Sequence, residues 1–438
     1  MKIARSERLT FVVLAAALVL TRLTLLAYGL RDPSQAILED SYEYLDLAGN
    51  LRQSGQFMRS DGEPTNRTPV YPVFLAALQS VFGSEPAVVI IAQSGVSIAT
   101  GFLAYLAGRS IAGAKAGLWA LGLYAVNPNA LFWSYPVLTE TLFAFWIILS
   151  VALLAAGVQS GRNILYAASG LALAVGVLTR PIGVYLVPIW VVSVVAMQWV
   201  ARRPKFRWGQ AVGFLLAASI PVLAWQLRNQ IVQGEFRLTG SDETVFVDWI
   251  AAYTLGDAEG IPRSQADILL RQSADPRAAA LDAIRKYPGS FIRVTLRGIS
   301  TTLMGTQAPT WATFLTGESY SGSGFLGSVL RGDLDAAVEG VRRILRDNEA
   351  LPMILLVWGL GYSALVYAAS AYGLWTLRDV RGIEPRYLIA LVTLTAVYLL
   401  IVPLANGDAR FRVPVEPLLC LLGGLGLSHK FATRSENE

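Results

Sequence analysis

Ten stretches of mostly apolar residues, at 9–30, 86–108, 111–128, 138–157, 164–178, 181–200, 208–228, 351–377, 386–404 and 412–428, leave this chain little choice of fold. A helix crossing a bilayer needs about 20 such residues. The expected class is all-α: a polytopic membrane protein with about ten transmembrane helices plus extracytoplasmic juxtamembrane helices. Hydrophobic residues make up 54% of the 438 and charged residues only 15%, too apolar for a soluble protein of this length. The first run, Leu9 to Leu30, is long enough to span and carries no small-residue cleavage pattern, so it reads as a span rather than a signal peptide.

A shorter apolar segment, 70–82, decides the orientation of everything after it. If it lies at the interface, one side of the membrane receives Lys2, Arg5, Arg8, Arg109, Lys115, Arg162, the cluster Arg202, Arg203, Lys205 and Arg207, then Arg378, Arg381, Arg386, Lys430 and Arg434. By the positive-inside rule that side is cytoplasmic. The expected organisation is then an N-terminal transmembrane module, 1–228, with a first outer loop at 31–85; an extracytoplasmic helical region, 229–350; and C-terminal spans with a short cytoplasmic tail, 351–438. Within the outer region, Arg277 to Tyr287, Ser290 to Met304 and Phe325 to Arg346 read as amphipathic helices, and the Gly/Ser/Thr-rich run Thr306 to Gly324 as a mobile loop.

Several chemistries are excluded. The sequence pI of about 9.2 reflects topology-setting Lys and Arg in short loops, so nucleic acid is not an expected partner. One cysteine, Cys420, and one histidine, His429, cannot build a disulfide framework or a His/Cys metal cluster. Any divalent metal would be bound by carboxylates. No phosphate loop or dinucleotide glycine fingerprint occurs on the cytoplasmic side.

Polar residues with chemical capacity gather instead on the outer face. The first loop carries Glu39 and Asp40 at the head of a helical pattern in which Tyr44, Leu47, Ala48 and Leu51 form the apolar stripe and Glu43, Asp46, Asn50 and Gln53 the polar face. Asp40 sits one turn before Tyr44, on the apolar side, where a carboxylate is paired, hydrated or used. Its structural alternative is a helix cap, since Asp40 and Glu43 fit a capping box. Asn66-Arg67-Thr68-Pro69-Val70-Tyr71-Pro72 puts a guanidinium at a depth suited to a lipid phosphate, or simply snorkelling. Ser134 to Glu140 places one carboxylate at the head of a long apolar helix, where the helix dipole also favours it. Asp408-Ala409-Arg410-Phe411-Arg412-Val413-Pro414 and Glu416 open the last span as a charged turn, with a local ion pair as the plain reading.

Taken in order, Asp40 with Tyr44 and Ala48, Arg67 through Pro72, Leu138-Thr139-Glu140, Gly170-Leu171-Ala172 through Leu178-Thr179-Arg180-Pro181, Arg228-Asn229 and Arg410 through Pro414 resemble the polyprenol-phosphate-sugar-dependent glycosyltransferases of the GT-C superfamily. The resemblance is to the bacterial branch of the protein O-mannosyltransferase family and to the aminoarabinose transferases that modify lipid A. It implies a membrane enzyme of the bacterial inner membrane, acting on the extracytoplasmic face with a polyprenyl-phosphate sugar as donor and a glycan, lipid or protein as acceptor. By motif, Asp40 resembles the first-loop aspartate that receives the acceptor proton, Glu140 the second-loop carboxylate, and Arg67 the basic residue near the carrier phosphate, helped by Arg228 or Arg410. Glu39 is the remaining catalytic candidate; Tyr44, Tyr71, Arg180 and Arg412 complete the expected substrate-binding set. The chain departs from the mannosyltransferases in having Ser41 after the aspartate instead of a glutamate. The competing class is a secondary transporter or lipid-linked sugar flippase, which also keeps charges at membrane depth but places them near the midplane in paired repeats; no such repeat is seen here.

Overall fold

The computed structural model describes residues 5–63, 65–200, 207–318, 320, 335, 336, 338, 339, 342, 350–380 and 382–435, and among these every regular element is a helix. The first half runs α1 (Arg5–Gly29), α2 (Glu39–Ser54), α3 (Val70–Phe82), α4 (Pro86–Ala112), α5 (Ala114–Ala125), α6 (Pro128–Phe132), α7 (Glu140–Ser160), α8 (Asn163–Thr179), α9 (Leu186–Val200) and α10 (Trp208–Gln233). Then come α11 (Ser241–Thr244), a π-helical stretch Val245–Ala251, α12 (Ala252–Glu259), α13 (Arg263–Arg271), α14 (Pro276–Lys286), α15 (Pro288–Met304) and α16 (Ala308–Thr316). The C-terminal helices are Ala350–Trp375, Ile383–Ile401 and Glu416–Ser435.

Eight helices among the described residues are long and apolar enough to cross a membrane: α1, α4, α7, Pro181–Val200, α10, Ala350–Trp375, Ile383–Ile401 and Ala409–Ser428. The chain is an integral membrane protein. The other two expected spans, 111–128 and 164–178, correspond to α5 and α8, of 12 and 17 residues. Gly113, at φ +93°, and Pro128 bound the stretch that contains α5, so the apolar run is divided there between two helices.

The chain divides into two compact units, Met1–Leu238 with Ala364–Val397 and Val413–Glu438, and Thr239–Ser363 with Tyr398–Arg412. In the first, α8 packs between α7 and α10, and Gly170 permits the close approach: a Cβ there would lie 2.4 Å from the Phe214 carbonyl oxygen. Arg22 of α1, 1% exposed, donates to the carbonyls of Tyr124 (2.9 Å) and Ala125 (2.6 Å) at the C-terminal end of α5, where the helix cannot supply its full set of N–H donors. Glu416, also buried, accepts from the side-chain amides of Asn127 (2.7 Å) and Asn129 (3.1 Å). Buried polar groups in this bundle are thus paired by side chains distant in sequence.

In the second unit, Val247, Ala251, Ala252, Ala266, Leu270, Ala280 and Ala283 form the core. The expected helices at 277–287 and 290–304 are present as α14 and α15. The run expected as a mobile loop from Thr306 instead holds α16, started by Pro309 after Gln307 and ended by Gly317 in the left-handed region. Its Trp311 and Ala312 are buried, and that burial outweighs the Gly/Ser/Thr composition on which the loop expectation rested. The helix expected over Phe325 to Arg346 lies almost wholly outside the described residues.

Candidate active site

The N-terminal turn of α2 is fixed by Ser41, not by Asp40. The Ser41 hydroxyl accepts the Leu38 N–H at 2.9 Å and donates to the Val137 carbonyl at 2.9 Å, while the Val137 N–H donates to the Ala36 carbonyl at 2.9 Å. α2 begins at Glu39 with Leu38 before it, so Asp40 is the second residue of the helix and does not hold the cap position considered as its structural alternative. The bonds of Ser41 and Val137 also join the first loop to the turn preceding α7. A second tie comes from α4, where buried Gln93 accepts the Tyr71 hydroxyl at 2.7 Å and donates to the carbonyls of Ser134 (3.2 Å) and Pro136 (2.7 Å). A third runs from the Thr68 hydroxyl to the Thr179 carbonyl, 3.1 Å, at the C-terminal end of α8. Five separate segments, the start of α2, the stretch 68–71, α4, the turn before α7 and the end of α8, are thereby tied together.

Arg67 stands at their meeting point. Its Nε donates to Glu43 Oε2 at 2.7 Å, Nη1 to the Tyr44 hydroxyl at 3.2 Å and Nη2 to Asp40 Oδ1 at 3.0 Å. The guanidinium carbon lies 4.7 Å from the centre of the Tyr44 ring, and that ring meets Tyr71 edge-on at 5.1 Å between centroids. Two of the five N–H groups of Arg67 have no acceptor among the described residues. The Glu43 carboxylate is completed by the Thr65 hydroxyl on Oε1 at 2.9 Å, and that hydroxyl in turn accepts the Arg67 backbone N–H at 3.0 Å.

A second ion pair stands beside the first. Glu140, at the first position of α7, meets Arg180 at 2.5 Å, and Arg180 also donates to the Thr139 hydroxyl at 3.1 Å. The Glu140 side chain is 3% exposed and that of Arg180 17%; Asp40, at 36%, is the most accessible carboxylate of the two pairs. The Tyr44 phenol feels the charges of Arg67, Arg180, Glu140 and Asp40. Burial pushes its pKa up, and the phenol stays protonated. Burial works to lower the pKa of Arg67, but the charges of Glu43 and Asp40 and the hydrogen bond to Glu43 oppose it and the net direction is upward, so the guanidinium stays charged.

Of the residues selected from sequence, Asp40, Arg67, Tyr44, Tyr71, Glu140 and Arg180 come together here. Glu39 is exposed at the same helix start and outside the cluster. Arg228, on α10 of the same unit, lies over the rings of Trp225 (5.0 Å) and Phe57 (5.6 Å) and donates to the Phe57 carbonyl at 3.2 Å and to Asn229 Oδ1 at 3.1 Å. Arg410 and Arg412 belong to the second unit. There Arg412 is buried and donates to the carbonyls of Thr302 (3.1 Å) and Leu303 at the end of α15. Among the described residues no group of three or more Asp, Glu, His or Cys converges as metal ligands. Asp40 and Glu43 converge on a guanidinium, which is a poor arrangement for a cation.

Sequence reasoning missed Glu43, Thr65 and Gln93. Glu43 was legible: three residues from Asp40 on a helix, it lies only about 60° around the axis, on the adjoining surface and not the opposite one. Gln93 and Thr65 gave no signal, because their partners are fixed only by tertiary structure.

Residues 66–225 match the family model described as dolichyl-phosphate-mannose-protein mannosyltransferase, a little over a third of the chain. The matched segment contains Arg67, Tyr71, Glu140 and Arg180 and begins after Asp40. Among solved structures, the oligosaccharyltransferase of Archaeoglobus fulgidus, in complex with Zn and sulfate, is similar over 90% of this chain and 45% of its own, with a TM-score of 0.51 and 13% identity. ArnT from Cupriavidus metallidurans bound to undecaprenyl phosphate aligns over 97% of this chain and 79% of its own, with a TM-score of 0.43 and 15% identity. The chain spans about half the length of the oligosaccharyltransferase it matches. No curated protein matches it. The family match and the shared fold bear out the resemblance to the GT-C superfamily.

Proposed function

We propose that this chain is a membrane glycosyltransferase that moves a sugar from a polyprenyl-phosphate-linked donor to an acceptor hydroxyl or phosphate on the extracytoplasmic face of the bacterial inner membrane. The observation that carries the reading is the Asp40–Arg67 pair: a partly exposed carboxylate 3.0 Å from a guanidinium that has two further N–H donors without an acceptor among the described residues. The match of residues 66–225 to a family whose description names a dolichyl-phosphate-linked sugar supports the donor class. The positive-inside distribution of Lys and Arg supports the outer face.

The step balances simply. An acceptor hydroxyl gives its proton to Asp40 as its oxygen attacks the anomeric carbon. The bond from that carbon to the phosphate oxygen breaks, and polyprenyl phosphate leaves with the electron pair. The departing phosphate gains negative charge, which the unfilled N–H groups of Arg67, with Arg180 or Arg228, would stabilise. One displacement with one base inverts the anomeric centre. The carrier's isoprenoid tail would lie against the exposed apolar faces of the spans, where its phosphate and its shape confer the selectivity.

The test incubates purified protein with a panel of polyprenyl-phosphate sugars and an acceptor extract, and measures carrier release and product configuration. Sugar transfer with inversion is expected. Retention of the donor configuration would remove the single-displacement mechanism, and donor movement across vesicles without carrier release would turn the reading into that of a flippase.

A further inference from the structure

The helix α15 has two faces suited to burial, and the fold covers one of them. Ser290, Val294, Gly298 and Thr302 lie in one stripe and are buried within the second unit. Ile292, Leu296 and Ile299 form a second stripe, spread over an arc of about 60° and centred roughly 150° around the axis from the first. Ile292 is 57% exposed and Leu296 59%, while Ile299 is half-buried. Apolar residues at i, i+4 and i+7 make a helix face built for apolar contact.

The way α15 is fastened shows what that contact is. Its backbone at Gly298 packs against Leu404 and Gly407 with no room for a Cβ, and Leu404 comes three residues after the membrane-spanning helix Ile383–Ile401 ends. Just beyond α15, Thr306 packs on Gly359 of a second membrane-spanning helix, Ala350–Trp375; a Cβ on that glycine would lie 2.6 Å from Thr306 Cγ2. The start of the one span and the end of the other lie on the same side of the bilayer, so α15 is held at that membrane surface. Charge agrees with this placement. The exposed Arg293 and Arg297 stand on one flank of the apolar stripe and share a single carboxylate, Asp257 of α12. Arg293 binds it at 2.7 Å, whereas Arg297 acts on it through its field alone and forms no ion pair among the described residues. One positive charge is left over beside the stripe.

We propose that α15 is an interfacial helix: Ile292, Leu296 and Ile299 seat in the acyl-chain boundary of the bilayer, and Arg297 reaches the headgroup phosphates. Such a helix ties the second unit to the membrane surface by buried apolar area and by attraction to anionic lipid. The inference goes beyond the proposed reaction and is tested without any sugar transfer.

The test uses the full-length protein in vesicles of phosphatidylcholine and phosphatidylglycerol. Nitroxide labels are placed on Leu296→Cys and, separately, on Ile292→Cys, so that failure of one variant to fold leaves the other. Cys420 is buried, and the unsubstituted protein serves as the blank. Collisions with oxygen, which concentrates among acyl chains, are compared with collisions with a water-soluble nickel chelate. The oxygen-to-nickel ratio at both positions should exceed that of a label on Arg297→Cys, on the polar flank of the same helix, by at least about threefold. Adding Arg297→Gln to Leu296→Cys should lower the ratio at 296 by about twofold; an unchanged ratio would overturn the phosphate contact. Dominant nickel collisions at both positions would place the stripe in water. Low collisions with both reagents would show it covered by protein, whether another part of the chain or a second copy. Either result overturns the seating in lipid.

Discussion

At the scale of single residues, the site depends on the shape of one guanidinium as much as on its charge. Arg67 reaches Glu43, the Tyr44 hydroxyl and Asp40 with three different nitrogens while its face lies on the Tyr44 ring. An ammonium is a point charge and cannot make those contacts together. Arg67→Lys is therefore expected to reduce sugar transfer at least about tenfold despite preserving the charge; near-normal rates in a carrier-release assay would mean that only the charge matters. Asp40 was legible in sequence because a carboxylate on the apolar stripe of a helix needs an explanation. Its partner Arg67 was legible as a basic residue at membrane depth. That the two meet was not, since 27 positions separate them and nothing in the spacing fixes how the chain returns from the end of α2 to its start.

At the scale of elements, the working parts are helix ends. The start of α2 is held by Ser41, whose hydroxyl satisfies one orphan N–H and reaches across to Val137. Ser41→Ala loses both bonds and should destabilise the first unit by about 1 kcal/mol. Faster hydrogen exchange over 37–44 would mark the fraying helix start, and unchanged exchange there would contradict the tie. The apolar stripe of α2 was readable from spacing alone, and Tyr44, Leu47 and Ala48 are indeed buried. The cap was not readable, because a serine among acidic residues becomes decisive only when a carbonyl 96 positions away lies within reach. In the second unit, α13 carries Asp267, whose carboxyl pKa is raised by burial first and by neighbouring Asp248 second, against the opposing pull of Arg263 and Arg271. A raised carboxyl pKa favours the protonated form in the fold, so this stability is present at low pH and is lost as pH rises through the folded value. Asp267→Asn should consequently raise thermal stability at neutral pH and bring little gain at pH 4; a lower melting temperature at pH 7 would show the negative charge to be needed there.

At the scale of the whole molecule, the membrane class followed from the apolar runs, which hydrocarbon permits only as satisfied helices. One of the ten runs was less predictable, since a hydropathy window does not register the Gly113 and Pro128 breaks that leave α5 at 12 residues. The charged turn at 408–414 was visible as a cluster, yet the assignment of Arg412 to the end of α15 depends on tertiary contacts that no motif encodes. What unites these levels is a first unit whose first loop, α3, α7 and α8 bring Asp40, Arg67, Glu140 and Arg180 together. The most direct measurement of the account is the initial rate of polyprenyl phosphate release from a lipid-linked sugar by the wild type and by Asp40→Asn, at matched folding and with acceptor present. Loss of the base predicts a fall of at least about 100-fold, whereas release at the wild-type rate would contradict it and return Asp40 to a structural ion pair.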